Sequence, residues 1–180
     1  MYKLLAAAAV AVSLATPVLA QPVPEKTEVN STLWIPSTQD FVTEAAYRDM
    51  LEIESSKLVA SKFDTKDTGF AEQMIKDHTA TSAELEGLVS SGKVKANLPA
   101  AMDKAHRAKL DKMKGLDGMA FIKAYEDMQV SAHEEAVSPF ERYAKSGDNA
   151  DLKAFAAKTL PRLKDHLKMA HDLEKLARPS

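Results

Sequence analysis

Four polar side chains of metal-ligand type lie on or beside the apolar faces of four predicted helices. His78, His133 and His166 belong to three of these helices, and Glu52 belongs to a fourth. An isolated charge in an apolar core is strongly unfavourable, so such groups need partners. We therefore expect the four side chains to meet, either as a metal site or as a buried hydrogen-bond network.

Two hypotheses for this cluster follow from its chemistry. Imidazole nitrogen together with carboxylate oxygen is the ligand mixture favoured by Zn²⁺, Cu²⁺, Ni²⁺ and non-haem Fe²⁺. The first hypothesis is one such ion bound by Glu52, His78, His133 and His166. The second is metal-free, with Glu52 accepting hydrogen bonds from His78 and His166 and thereby fixing the register of three helices.

The helical positions of these residues predict different depths. His78 and His166 fall near the centres of their apolar arcs, and His133 falls nearer the rim of its arc. Asp77 lies at the edge of an apolar arc, and His106 lies inside the arc of a short helix. The pattern leaves open whether either of these two joins the cluster.

The sequence does not favour an enzyme. It contains no Glu-x-x-His pair, the spacing by which di-iron bundles present a carboxylate and an imidazole to a shared metal pair. This argues against ferroxidase or oxygen-activating chemistry, and we predict no catalytic residue. A metal-dependent hydrolase or oxidase is the weaker alternative, because it requires an open coordination position.

Apolar residues recur at spacings of three and four from Thr38 onward, which predicts an all-α fold. Pro139 and Pro161 fall inside two of the helices and are expected to bend them without ending them. Four long helices and one short helix predict an antiparallel bundle. The predicted helices span about 38–62, 67–91, 98–115, 117–146 and 149–177.

The first part of the chain predicts export. Lys3, a short apolar run and small residues up to Ala20 form the pattern of a secretory signal peptide, residues 1–20. We expect cleavage near Ala20 and a periplasmic or secreted mature protein. Residues 21–37, which contain three prolines, are predicted to be an extended leader, and residues 38–178 are predicted to form the helical domain.

Composition excludes several classes of function. The formal net charge is −2 at pH 7, with acidic and basic residues evenly mixed, so nucleic acid is not an expected partner. The sequence has no cysteine, which rules out thiolate chemistry and disulfides. No segment after the signal is apolar enough to predict a transmembrane helix. The pattern identifies no protein partner and no oligomeric state.

Four blocks of sequence resemble the bacterial family called domain of unknown function 4142. The blocks are Phe41–Ala46, Phe70–His78, Tyr125–Val137 and Thr159–Leu167. The resemblance spans about Thr38 to Leu176 and implies a ferritin-like helical bundle in an exported protein. It implies no substrate, because the family has no established activity.

The resemblance also concerns the candidate site. The recurring histidines of the family correspond to His78, His133 and His166, and its acidic position on the first helix corresponds to Glu52. One position departs from the family, which commonly has an aspartate where this chain has Ile122. Any role of that aspartate is therefore lost or moved in this protein.

Overall fold

Five α-helices and no β-strand form the described part of the chain, residues 35–62 and 66–177 of a computed structural model. The helices are α1 (Thr38–Lys62), α2 (Lys66–Ser90), α3 (Lys104–Lys114), α4 (Gly118–Ser146) and α5 (Ala150–Ala177). The all-α prediction is confirmed. The predicted signal peptide lies outside the described residues, as does the predicted leader up to residue 34.

The ends of the four long helices agree with the sequence pattern, and capping side chains mark the starts of α1 and α5. Ser37 precedes α1, and its hydroxyl oxygen accepts a hydrogen bond of 3.1 Å from the Asp40 backbone N–H. The side chain of Asn149 accepts a similar bond from Leu152 N–H at 2.9 Å at the start of α5. After α2 the chain turns at Gly92, whose φ of 75° favours glycine.

The predicted start of the third helix, at residues 98–99, is wrong. α3 begins at Lys104, because the extended Asp103 caps it and accepts a hydrogen bond of 2.8 Å from His106 N–H. The Asn97 backbone is bound to α1 instead, donating to Gln39 Oε1 and accepting from Gln39 Nε2, both at 2.9 Å. These contacts use the Asn97 backbone groups that a helix would otherwise employ.

The long helices pack as two hairpins. α1 packs most extensively on α2, and α4 packs most extensively on α5, which follows from the short connections within each pair. Contacts of α2 with α5 and of α1 with α4 join the hairpins, and α3 packs against α1 and α4. Pro139 lies within α4 and Pro161 within α5, as the sequence predicted.

The interior has two apolar clusters. The first includes Phe41, Leu85, Phe140, Tyr143 and Phe155. The second includes Leu51, Met74, Phe121, Tyr125 and Leu173. On each long helix, buried polar residues lie at or beside the point where the residues of one cluster give way to those of the other.

We use the name polar layer for seven of these buried residues. Its members are Asp49, Glu52, Asp77, His78, Gln129, His133 and His166. Among the described residues, no helix combines the length and the apolar character needed to cross a membrane.

Candidate metal centre

The three predicted histidines meet in the polar layer. The ring centroid of His78 is 5.7 Å from that of His133 and 5.4 Å from that of His166, and the last two centroids are 5.3 Å apart. One ring nitrogen of each histidine lies within 4.8 Å of one nitrogen of each of the others. All three side chains are buried, with 4%, 1% and 3% of their surface exposed for His78, His133 and His166.

Each imidazole is held from outside the cluster by one hydrogen bond. His78 Nδ1–H donates to Asp49 Oδ1 at 2.8 Å, which ties α2 to α1. His166 Nε2–H donates to Asp77 Oδ2 at 2.9 Å, which ties α5 to α2. His133 Nδ1–H donates to the backbone carbonyl of Gln129 at 2.8 Å, one turn earlier in α4. Carboxylate and carbonyl oxygens only accept, so these bonds place a proton on the outer nitrogen of each ring.

The second nitrogen of each ring has no hydrogen-bond partner within the described structure. These atoms are His78 Nε2, His133 Nε2 and His166 Nδ1. A buried nitrogen without a partner is energetically unfavourable. In metal sites, histidine ligands donate their other N–H to a carboxylate or carbonyl, the same pattern that these three rings show.

Glu52 adjoins this cluster and is also buried, with 2% of its surface exposed. Gln129 Nε2 donates to Glu52 Oε2 at 2.5 Å and so orients the carboxylate. The predicted hydrogen bonds from His78 and His166 to Glu52 are therefore wrong, because these two rings bond to the aspartates described above. Glu52 Oε1 has no partner within the described structure, and the same is true of Asp49 Oδ2. The polar layer therefore contains two carboxylates that each retain one free acceptor.

Asp77 supports His166 from the outer side of the layer. Gln73 Nε2 donates to Asp77 Oδ2 at 2.6 Å, and Arg162 donates to Asp77 Oδ1 at 3.2 Å. Burial raises the pKa of Asp77, but the hydrogen bonds from Gln73 and His166 and the charge of Arg162 outweigh it and lower the pKa overall. Asp77 is thus an ionised acceptor that fixes the orientation of the His166 ring.

The surroundings set different protonation preferences for the three imidazoles. Burial lowers the pKa of His166 to about 4 and also lowers the pKa of His133. Burial acts in the same direction on His78, but the hydrogen bond and charge of Asp49 outweigh it, so the pKa of His78 is raised. Near neutral pH, His133 and His166 are therefore in the neutral form that binds metals, whereas a metal at His78 competes with a proton.

The structure corrects one predicted depth and assigns the two residues that were left open. His133 was predicted nearer the rim, and this is wrong, because the residue is only 1% exposed and its ring packs against those of His78 and His166. Asp77 contacts the cluster through His166, as described above. His106 is buried but has its own partners: its Nδ1 is 2.8 Å from Asp103 Oδ1, and its ring lies against Tyr47.

Sequence reasoning missed two residues of the polar layer, Asp49 and Gln129. Asp49 is three residues before Glu52 and therefore lies on the same face of α1. Gln129 is four residues before His133 and lies on the same face of α4. Both spacings are visible in the sequence, but the side-chain partner of each residue belongs to another helix, and local spacing does not predict such a pairing.

The donor set fits a divalent transition metal. Three imidazoles with a carboxylate nearby match the ligands of Zn²⁺, Cu²⁺, Ni²⁺ and Fe²⁺ sites. The unpartnered ring nitrogens provide the test of this fit, because they are buried potential metal ligands with no hydrogen-bond partner among the described residues. A second metal is not indicated, because the described residues bring no other three histidine or carboxylate ligand atoms this close together.

The fold and the site define a helical-bundle protein with a buried three-histidine cluster. The chain belongs to the family described as "Domain of unknown function (DUF4142)", which matches residues 21–173. No curated protein and no solved structure matches this chain.

Proposed function

We propose that this chain binds one divalent transition metal ion at the site formed by Glu52, His78, His133 and His166. The three imidazoles supply nitrogen ligands, and Glu52 is the adjoining negative charge. The observation that carries the proposal is that each ring has one oriented, bonded nitrogen and one buried nitrogen to which the described part of the chain offers no partner. In a tetrahedral site with metal–nitrogen distances of about 2 Å, ligand nitrogens are about 3.4 Å apart. One nitrogen of each ring already lies within 4.8 Å of one nitrogen of each other ring, so the rings need to move only slightly closer together to bind an ion.

The charges of the polar layer support a divalent cation. Arg162 balances Asp77 on the outer side of the layer. Asp49 and Glu52 have no Lys or Arg among the partners that the described structure gives them. A cation of charge two between the rings offsets the charges of these two buried carboxylates.

Metal analysis of protein purified without an affinity tag tests this proposal. The protein is produced in three separate cultures, supplemented with zinc, with copper or with iron. In at least one of them we expect one metal ion per wild-type chain and almost none in His78→Ala. His171→Ala is the matched control, because His171 is on α5 but its side chain is 41% exposed and pairs with surface carboxylates. Wild-type protein without stoichiometric metal under all three conditions contradicts the proposal.

The second candidate is a structural or partner-binding module of the cell envelope with a metal-free His/Glu network. The observation that favours it is that Asp49–His78 and Asp77–His166 already connect helices α1, α2 and α5. Such a protein is expected to melt at the same temperature with and without a chelator. Melting that depends on the chelator contradicts this second candidate.

Two further parts of the proposal concern architecture and location. The two packed hairpins and the family resemblance support a ferritin-like arrangement of the four long helices. The signal-like residues 1–20 support export to the periplasm with cleavage near Ala20. The intact mass of protein recovered from the periplasm tests the location, since a mature chain that begins at Gln21 has a defined mass.

A further inference from the structure

A small cavity adjoins the histidine cluster. Its volume is about 20 Å³, and its lining includes both inner carboxylates, Asp49 and Glu52, and two histidines of the cluster, His78 and His133. His106 also borders this cavity. A cavity needs roughly 10–15 Å³ of such space to hold one water molecule. This cavity therefore has room for one water molecule beside the histidines.

Two of the residues that line the cavity each carry an unsatisfied acceptor. Glu52 Oε1 and Asp49 Oδ2 are buried and without partners within the described structure, and the residues are only 2% and 4% exposed. Both atoms require a hydrogen-bond donor. A water molecule has two donors, whereas a direct bond from Glu52 to the metal leaves Asp49 Oδ2 unsatisfied.

The cavity also has more accessible residues on its lining. Arg48 of α1 and Lys109 of α3 both border it, and their side chains are 17% and 43% exposed. A water molecule beside the histidines can therefore exchange with solvent past long, flexible side chains. A fully closed structural site has no such route.

We propose that the fourth ligand of the metal is an exchangeable water molecule, located in this cavity and hydrogen-bonded to Glu52 and Asp49. The inference rests on the proposed function, because His78, His133 and His166 must first hold the ion. It makes Glu52 the acceptor that positions the water rather than a direct ligand. Three protein ligands plus one solvent position is the arrangement of open metal sites, in contrast to closed four-ligand structural sites.

Electron paramagnetic resonance of the full chain loaded with Cu²⁺ tests the inference. Copper is the suitable probe because nitrogen and oxygen sites bind it more tightly than the other divalent ions of this series. We expect nitrogen couplings from three histidines, and broadening of the copper signal in water enriched in the magnetic oxygen isotope. Histidine couplings without this broadening overturn the inference but leave metal binding intact. Protein that acquires no three-histidine copper overturns both.

The Glu52→Gln variant separates the two roles of Glu52 further. If Glu52 only positions the water, the variant still binds one copper per chain and still shows the isotope broadening, with affinity about 10- to 100-fold lower. Loss of the copper itself from a folded variant contradicts the inference. Glu54→Gln is the matched control, because Glu54 lies on the outer side of α1, 42% exposed, and pairs with Arg107. If Glu52→Gln fails to fold, the wild-type isotope measurement alone decides.

Discussion

At the scale of single residues, the three imidazoles differ in how they respond to acid. The charge of His78 lowers the pKa values of His133 and His166, which are already lowered by burial. Protonation of one ring therefore disfavours protonation of the other two. The cluster accepts one positive charge at His78 beside Asp49 and resists a second.

His166 makes a pH-dependent contribution to stability that a variant can isolate. Its pKa is about 4 in the folded protein, below its ordinary value of 6.5. Between pH 6.5 and about pH 4, His166 takes up a proton in the unfolded chain but not in the folded chain. The contribution of His166 to the free energy of unfolding is therefore fully present above pH 6.5 and is lost as the pH falls toward 4. His133 acts in the same direction, whereas His78 and Asp49 act oppositely because their pKa values are raised.

We predict that His166→Asn is less destabilising at pH 5 than at pH 7.5, by about 2 kcal/mol. The reason is that the variant lacks the ring whose neutral form becomes unfavourable as pH falls. Urea unfolding in the presence of a chelator at both pH values measures the difference. His171→Asn is the control and should show no such change. Equal destabilisation by His166→Asn at both pH values refutes the prediction.

At the scale of helices, the start of α3 depends on one side chain. Asp103 caps the helix through its bond to His106 N–H, and the same oxygen lies 2.8 Å from His106 Nδ1. α3 itself packs against α1 and α4.

We predict that Asp103→Ala lowers the free energy of unfolding by about 1 kcal/mol, because the helix loses its N-terminal acceptor. Asp103→Asn retains an oxygen in the same place and should lower it by much less. Urea unfolding of both variants at neutral pH measures the two effects. If Ala and Asn are equally destabilising, the negative charge of Asp103 matters and the cap does not.

Sequence periodicity predicted the helices and the convergence of the histidines, but not the details between helices. The position of His78 or His166 on an apolar arc depends only on its own helix, so it was predicted correctly. The burial of His133 depends on its packing against the rings of His78 and His166, which one helical arc does not reveal. The pairing of Asp49 with His78 depends on the relative rotation of α1 and α2, and no local pattern contains that information.

At the scale of the whole molecule, the polar layer connects all four long helices. Asp49 and Glu52 come from α1, His78 from α2, His133 from α4 and His166 from α5. The layer lies at or beside the point where one apolar cluster gives way to the other along each of these helices. An ion bound at its centre therefore contacts both hairpins at once, and unfolding of either hairpin must release it.

We therefore predict that metal binding stabilises the whole fold. Zn²⁺ at a free concentration of about 100 times its dissociation constant should raise the free energy of unfolding by about 2.7 kcal/mol, because only the folded chain assembles the site. Circular dichroism melts with Zn²⁺ and with excess chelator detect this gain as a higher melting temperature in the presence of Zn²⁺. His133→Asn should lose the gain, whereas His171→Asn should retain it, since His171 is outside the cluster. A wild-type melting temperature that is the same with Zn²⁺ and with chelator favours the metal-free network.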